Sequence, residues 1–414
     1  MGEYLNPGCE DFQMAINSEV FVDKTEILGF LNTLIATEQR HVCISRPRRF
    51  GKTMTAKMLC AYYGNGEGAR ELFQARKVAQ LTNWDSHLGK YNVIRLVMTE
   101  FIKTGVPVSE ALAKMQRRVL TELASEYPDV KYDSEDFRYS LSRFRQNSRK
   151  RYVVIIDEWD VIFRAHPGDG DGQKMYLEYL RDWLKDNGDV ALAYMTGILP
   201  VKKYGAHSAL NMFTEYSMTS PKQLAQFTGF TTQEVKSLCQ EFGRDYSSIA
   251  DWYDGYVVND IIPGRQTQSQ KYHLFSPLSV VNAIITGQIR NYWNSTETYE
   301  ALAEYIRKDF DDLKQAVTLL MDGGRVRIDI GGYQNDMTTF ECRDDILTLL
   351  VHLGYLGYDE ETSEVFIPNQ EVLAEFRLST RTSEWVEVLE SFRKSQKLLQ
   401  ATWDTGILFP SNVR

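Results

Sequence analysis

A Gly-Lys-Thr triplet, Gly51-Lys52-Thr53, stands between a short apolar segment and a stretch with helical periodicity. The apolar residues His41–Ser45 predict a buried strand, and the residues after the triplet predict a helix that ends at Gly64. In such a unit, the backbone N–H groups of the turn and of the helix N-terminus converge on phosphate oxygens. Lys52 would reach the β- and γ-phosphates of a nucleotide, while the Thr53 hydroxyl would ligate Mg²⁺. A chance triplet in a turn is the alternative, and the strand and helix around it argue against that interpretation.

The turn itself is unusual for a phosphate-binding loop. Arg46 stands where the first glycine is expected, and Arg48 and Arg49 add positive charge beside the polyphosphate. Pro47 could stiffen the turn that glycine usually provides. At least one arginine is expected to contact phosphate or an acidic neighbour, and another could report the nucleotide state to a lid or a partner. The predicted phosphate-binding residues are Arg46, Pro47, Arg48, Arg49, Phe50, Gly51, Lys52, Thr53 and Met54.

An acidic pair further along the chain supplies the second half of a nucleotide site. Asp157 ends the run YVVIID and Glu158 follows it; the run is apolar at both odd and even positions, as expected of a strand that is buried on both faces. In a parallel sheet, the carboxyl end of this strand lies at the same edge as the loop. Asp157 would hold Mg²⁺, directly or through water, and Glu158 would polarise the attacking water as a general base. A strand whose acidic end faces solvent is the alternative.

Two further segments favour hydrolysis of the nucleotide. The apolar run 92–98 predicts a strand between the loop strand and the acidic strand, an arrangement typical of the ATPases that carry a catalytic glutamate. Small-molecule kinases with this loop usually lack the Asp-Glu pair, so hydrolysis is favoured over phosphoryl transfer to a metabolite. Thr196, near the end of the apolar run 190–198, would lie beside the acidic strand and position the attacking water. A threonine that merely ends a strand is the alternative.

Composition and charge exclude several classes of protein. The 414 residues suffice for about two or three domains, and the net charge of −9 argues against a protein that coats nucleic acid. The five cysteines form neither a CxxC pair nor a cluster with histidines, so we expect no zinc module and no disulfide framework. The N-terminus lacks the pattern of a signal peptide, and no apolar run reaches membrane-spanning length. We therefore expect a cytoplasmic protein with no membrane partner.

Several motifs occur in a characteristic order along the chain: FVDKT, RPRRFGKT, IIDEWD, TGILPVKK, WYDGY, FSPLSVVNAI and NYWNST. Over about residues 10–375 the sequence resembles the bacterial AAA-ATPase-like family, in which the first glycine of the loop is typically replaced as it is here. The resemblance implies ATP as the nucleotide and kinship with signal-transducing ATPases that switch between states. It also implies a C-terminal nuclease-like domain of the PD-(D/E)XK superfamily. The last forty residues show no strand-borne acidic pair for such a domain, so we assign no nuclease activity to this chain.

The order of predicted elements indicates an α/β fold. Strands alternate with helical segments from about residue 40 to 200, which predicts a parallel sheet with helices on both faces. We expect a P-loop NTPase of the additional-strand, AAA/STAND-like type, with a three-layer core over residues 1–215. Short helices then predict a helical lid over 216–298. A helix, a turn, two strands and a helix predict a winged-helix-like module over 299–376, and a helical linker or tail over 377–414 follows.

The expected function is a Mg²⁺-dependent switch that binds and hydrolyses ATP and regulates an attached or partner effector. The family resemblance implies a nuclease effector in a defence or mobile-element context. An ATP-binding scaffold with negligible turnover is one alternative. DNA binding through the winged-helix-like region is another, although the acidic residues of the helix 342–354 and the wing 358–366 would repel phosphates. A homo-oligomer, and an arginine that acts in trans, are both compatible with the sequence.

Overall fold

The computed structural model describes residues 2–201, 209–261, 269–293, 298–308, 310, 312–333 and 339–381. The α-helices are α1 Glu10–Ile16, α2 Ile27–Leu34, α3 Lys52–Tyr63, α4 Ala69–Gln74, α5 Val108–Glu126, α6 Phe137–Ser148, α7 Val161–Ala165, α8 Gly170–Leu184, α9 Thr232–Glu241, α10 Tyr246–Tyr253, α11 Pro277–Thr286, α12 Thr298–Ile306, α13 Leu313–Met321, α14 Arg343–Leu353 and α15 Gln370–Ser379. The strands are β1 His41–Ser45, β2 Asn92–Val97, β3 Tyr152–Asp157, β4 Val190–Gly197, β5 Thr214–Tyr216, β6 Phe230–Thr231, β7 Tyr256–Ile261, β8 Ser269–Phe275, β9 Val326–Arg327, β10 Gly357–Asp359 and β11 Glu364–Phe366.

The N-terminal half is built on a five-stranded parallel sheet in the order β2-β3-β4-β1-β5. The sheet confirms the predicted α/β class, and its strands fit a P-loop fold. One expectation was wrong, because β2 lies at the edge of the sheet and β4 lies between the loop strand β1 and the acidic strand β3. The chain order of strands does not fix their spatial order, since a crossover helix can carry the chain past a place that a later strand fills.

Both faces of the sheet are covered by helices, as the doubly apolar strands require. Val154 and Ile156 of β3 belong to the apolar core on one face, which includes buried side chains of α5, α6 and α8. Val153 and Ile155 point to the other face, where the core includes side chains of α2, α3 and α4. This alternation within a single strand gives the three-layer core that the sequence predicted.

The predicted lid, residues 216–298, contains both helices and strands. Helices α9, α10 and α11 share an apolar core with side chains such as Val235, Ile249 and Val280. Strands β7 and β8 pair antiparallel, and β6 pairs with the other edge of β8. The purely helical prediction was therefore incomplete. The run KYHLF carries polar residues that hid the strand character of β8.

The C-terminal module, which we define as residues 313–381, has the predicted order of helix, turn, two strands and helix in α14, β10, β11 and α15. Strand β9 adds a third antiparallel strand, next to β11. The winged-helix identity of this module stays a prediction. Residues 382–414, which include most of the predicted tail, lie outside the described residues. Among the described helices, none is long and apolar enough to cross a membrane.

Candidate nucleotide-binding site

The phosphate loop connects β1 to α3, as the sequence predicted. Gly51 precedes the first residue of α3 with φ of +87°, in the left-handed region that glycine enters without strain. Lys52 opens the helix, and its Nζ donates hydrogen bonds to the carbonyl oxygens of Arg46 (2.8 Å) and Pro47 (2.7 Å). The side chain of Lys52 therefore runs back under the turn, on the side where the acidic motif lies.

The Lys52 ammonium group is buried, with 8% of the residue exposed. Burial lowers its pKa from 10.5 to about 8, although the carboxylates of Asp160, Asp157 and Glu158 oppose this change. The loop lysine is thus within electrostatic reach of the acidic motif. A positive group held in a partly apolar setting gains more from a bound polyphosphate than a lysine in water would.

Strands β3 and β4 bring Asp157 and Thr196 together at the carboxyl edge of the sheet, where the two residues are paired in register. The Thr196 hydroxyl donates a long hydrogen bond of 3.4 Å to Asp157 Oδ1. The other carboxylate oxygen, Oδ2, is buried and has no hydrogen-bond partner in the part of the chain that the structure describes. Such an oxygen is costly unless a cation or a polar ligand meets it. Asp157 therefore fits a Mg²⁺ site, because Mg²⁺ in proteins is held by one or two carboxylates together with phosphate oxygens and water.

Glu158 lies directly after β3 in an unusual backbone conformation. Its φ is +55°, which non-glycine residues rarely adopt and which occurs preferentially at functional sites. The neighbouring backbone holds it there, since Trp159 N–H donates to the Thr196 carbonyl and Val161 N–H donates to the Glu158 carbonyl, both at 3.1 Å. The side chain is 42% exposed and faces Arg164. This places a partly solvated carboxylate beside the loop.

A cavity of about 860 Å³ joins these elements, within the volume of about 300–1,000 Å³ that is usual for small-molecule sites. The phosphate loop contributes Arg48, Arg49, Phe50, Gly51, Lys52, Thr53 and Met54. The acidic motif and the helix that follows it contribute Glu158, Asp160 and Arg164. The apolar wall is formed by Phe12, Val20, Phe21, Val22, Met58, Phe227, Phe230, Pro277, Leu278 and Val281. The cavity thus combines charged and apolar lining residues, and residues of the predicted lid contribute to the apolar part of the lining.

Residues 7–206 match the model of the family described as predicted AAA-ATPase. This match covers 200 of the 414 residues, slightly less than half of the chain, and we call residues 7–206 the AAA-ATPase region. A curated relative, an uncharacterized protein in the vnfD 5′ region of Azotobacter chroococcum mcd 1, is 25% identical over 299 residues, or 69% of this chain and 52% of that protein. The chain spans about half the length of this curated relative.

Two solved structures resemble the chain at low sequence identity. The Walker-type ATPase PABY2304 of Pyrococcus abyssi is 13% identical with a TM-score of 0.42, and the match covers 86% of this chain and 94% of that chain. Cdc6p from Pyrobaculum aerophilum is 12% identical with a TM-score of 0.31, over 89% of this chain and 97% of that chain. The strand order of the sheet and the geometry of the loop before α3 fit a P-loop fold for the AAA-ATPase region.

Two predicted phosphate-binding side chains do not reach the cavity. Arg46 is completely buried, and its Nε donates to the Thr228 hydroxyl at 2.7 Å while Nη1 donates to the carbonyl oxygens of Ser45 (2.9 Å) and Tyr216 (2.8 Å). Pro47 is buried too and packs towards Gly354, where an added Cβ would lie 2.7 Å from the Cβ of Pro47. Phosphate binding by these two side chains is therefore corrected to contacts with the predicted lid and the C-terminal module.

The remaining predicted residues divide into two groups. Arg48, Arg49, Phe50, Gly51, Lys52, Thr53, Met54 and Glu158 line the cavity. Asp157 and Thr196 lie behind this lining, and both are buried. Thr53 is exposed and Asp157 is buried, and their predicted roles as ligands of one metal ion stay predictions.

Sequence reasoning assigned no role to Asp160 or Arg164, which also line the cavity. Asp160 is fully buried, and Arg164 forms ion pairs with both Asp160 (3.4 Å) and Glu158 (3.7 Å). The repeated acidic residue in the sequence DEWD was the available signal. Its second aspartate follows an apolar tryptophan and precedes the apolar run of α7, a position where a solvent-exposed charge is not expected.

Proposed function

We propose that this protein is a Mg²⁺-dependent ATPase that acts as a nucleotide-controlled switch. The observation that carries the proposal is one cavity that Lys52, Thr53 and Glu158 line together, with the buried Asp157 next to Glu158 in the chain. Phosphate-binding, metal-binding and water-activating residue types thus meet in one site of suitable volume. Apolar lining residues such as Phe21 and Phe230 would pack against the faces of a nucleotide base.

Each residue has a distinct part in the proposed reaction. The Lys52 ammonium group would exchange the Arg46 and Pro47 carbonyl oxygens for oxygens of the β- and γ-phosphates. The Thr53 hydroxyl and Asp157 would hold Mg²⁺, which neutralises charge on the phosphates when it is bound. Glu158 would take a proton from the water that attacks the γ-phosphorus, as the bond to the ADP oxygen breaks. Thr196 would orient this water through its contact with Asp157.

The proposed switch depends on the walls of the cavity. Gly229, Phe230 and Leu278 of the predicted lid line the same cavity as the phosphate loop. A nucleotide bound there would touch both the AAA-ATPase region and the predicted lid, so its hydrolysis would change the contacts between them. We propose that an attached or partner effector responds to this change, with a nuclease as the effector class that the family resemblance suggests.

ATP binding and phosphate release test the proposal separately. We expect the wild-type protein to bind MgATP and release phosphate, Glu158→Gln to bind MgATP with phosphate release reduced at least about 100-fold, and Lys52→Ala to lose binding. Glu71→Gln, on the exposed surface of α4, is the matched control and should behave as wild type. Equal background release from wild type and Glu158→Gln, with ATP bound by both, would instead support a binding module without turnover. Retained ATP affinity in Lys52→Ala would contradict the loop assignment.

A further inference from the structure

The carboxylate of Asp160 connects the acidic motif to the end of β4. Its Oδ2 accepts hydrogen bonds from the backbone N–H groups of Ile198 and Leu199, both at 3.0 Å. The two segments approach so closely that a Cβ on Gly197 would lie 2.9 Å from Asp160 Oδ1 and 2.6 Å from Trp159 Nε1. Asp160 therefore connects the segment that follows Asp157 to the segment that follows Thr196.

Arg164 extends this connection to the surface of the cavity. It lies one helical turn after Asp160, and its Nη1 is 3.4 Å from Asp160 Oδ2. Its Nη2 is 3.7 Å from Glu158 Oε2. The Arg164 guanidinium thus bridges a buried carboxylate and the partly exposed carboxylate that we propose as the general base.

The bridge differs from an ordinary surface ion pair, which contributes little because both side chains move freely in water. Asp160 is completely buried, so its charge needs Arg164 and the two backbone donors. The Arg164 side chain is only 21% exposed, and its displacement would leave the buried carboxylate of Asp160 without its ion pair. Glu158 meets this anchored guanidinium from a backbone in the left-handed region. Its carboxylate is therefore constrained at both its backbone and its tip.

We propose that Asp160 and Arg164 are positioning residues that together hold the carboxylate of Glu158 in place for proton transfer from the attacking water. The inference rests on the proposed function, since it specifies how the same site orients its general base. In this arrangement water attacks the γ-phosphorus, the bond to the ADP oxygen breaks, and the water proton passes to Glu158. Arg164 contacts Glu158 rather than the phosphates, so it affects the rate of the chemical step more than nucleotide affinity.

The test compares Arg164→Gln, Arg164→Lys and Asp160→Asn with Arg181→Gln, which removes only an exposed ion pair with Asp182. We expect Arg164→Gln to bind MgATP within about 3-fold of wild type and to lose roughly 10- to 100-fold in kcat. Arg164→Lys should recover part of kcat, because a lysine retains the charge. Asp160→Asn can still accept the two backbone hydrogen bonds but loses its charge, and its kcat should fall in the same way. Arg181→Gln should match wild type.

Two kinetic results would overturn the inference. Unchanged kcat in Arg164→Gln would show that Glu158 needs no bridge, and a parallel fall in ATP affinity would show that Arg164 contacts phosphate instead. If wild type has no turnover, the proposed function fails, and crystal structures of wild type and Arg164→Gln then decide the inference. The inference requires the Glu158 side chain to leave its wild-type rotamer in Arg164→Gln. An unchanged Glu158 rotamer would overturn the inference whatever the turnover.

Discussion

Replacing Lys52 by methionine should stabilise the nucleotide-free protein while abolishing its response to ATP. The methionine side chain is similar in length to that of lysine, and it is apolar and uncharged. It therefore suits the buried position that Lys52 occupies. The two effects have opposite signs because the buried ammonium group is unfavourable for folding alone and favourable only with a polyphosphate beside it. This opposition distinguishes a ligand-binding lysine from one that stabilises the fold.

The size of the stability effect follows from the pKa of Lys52. Its fall from 10.5 to about 8 corresponds to roughly 3 kcal/mol of destabilisation at pH 7, because each tenfold change in a protonation equilibrium is about 1.4 kcal/mol. The methionine variant also loses two hydrogen bonds to the carbonyl oxygens of Arg46 and Pro47, which contribute about 1 kcal/mol each. The expected net gain in the unfolding free energy is therefore about 1–2 kcal/mol.

The same pKa gives the pH dependence of this gain. Below about pH 8, Lys52 is protonated in both the folded and the unfolded protein, and the full destabilisation is present. Between pH 8 and 10.5, the folded protein releases the proton first, so the unfolded protein binds more protons and the stability of wild type rises with pH. The advantage of Lys52→Met should therefore shrink as the pH rises from 8 to 10.

Thermal melts in EDTA without nucleotide, and then with MgATP, measure both effects. Lys52→Met should melt about 2–8 °C above wild type without nucleotide, since 1 kcal/mol moves Tm by about 2–4 °C in a domain of this size. Saturating MgATP at about 100 times Kd should stabilise wild type by about 2.7 kcal/mol and leave the variant unchanged. Lys114→Met, on the exposed surface of α5, should match wild type in both conditions. A variant that melts below wild type without nucleotide would refute the reasoning.

Three further substitutions test the surroundings of the site. Glu375→Gln should stabilise the protein at pH 7, because burial raises the pKa of the Glu375 carboxyl, and urea melts should show the gain disappearing below about pH 4.5, where the carboxyl is protonated in both states. Gly197→Ala should cost about 1–3 kcal/mol in urea unfolding, because the new Cβ would lie 2.6 Å from Trp159 Nε1. Thr228→Val should cost about 1.5–3 kcal/mol, because it removes the hydroxyl that accepts from the buried Arg46 guanidinium.

Matched control variants show whether each change in stability has the proposed cause or follows from any substitution of this kind. Gly188→Ala introduces a Cβ that would meet nothing within 4 Å, so a loss equal to that of Gly197→Ala would contradict the steric explanation. Thr228→Ser keeps the hydroxyl and should retain most of the stability that Thr228→Val loses. For Glu375→Gln, a gain that persists at pH 4 would show that the buried charge is not its origin.

The sequence predicted the elements of the site that depend on local order along the chain. Gly51, Lys52 and Thr53 act through the backbone of one turn, so a strand, a turn and a helix suffice to place them. The pairing of Asp157 with Thr196 also follows, because both residues end buried strands of one parallel sheet. The placement of the strand 92–98 between β1 and β3 was wrong, because periodicity identifies strands without ordering them in space.

The burial of the Arg46 side chain could not be predicted from sequence patterns, for a different reason. Its side chain contacts Tyr216 and Thr228, which lie 170 and 182 residues away. One of them belongs to β5, a strand of only three residues whose sequence Thr-Glu-Tyr shows no periodicity. An arginine beside a phosphate loop is ordinarily interpreted as a ligand for phosphate, and only the tertiary structure reveals that this one is buried.

Contacts with later parts of the chain explain why Arg46, Pro47 and Phe50 occur in the phosphate loop. Arg46 binds the predicted lid, and Phe50 packs edge-on against Tyr256 with ring centroids 5.3 Å apart. The Tyr256 hydroxyl donates to the Gly354 carbonyl at 2.6 Å, and Pro47 packs against Gly354. A loop of glycines could move over a phosphate without disturbing its neighbours. We expect that this loop cannot move in the same way, because close-packed side chains connect it to the predicted lid and to the C-terminal module. Its unusual sequence is therefore compatible with phosphate binding by backbone and Lys52, while its side chains make any displacement of the loop a displacement of the predicted lid and the C-terminal module.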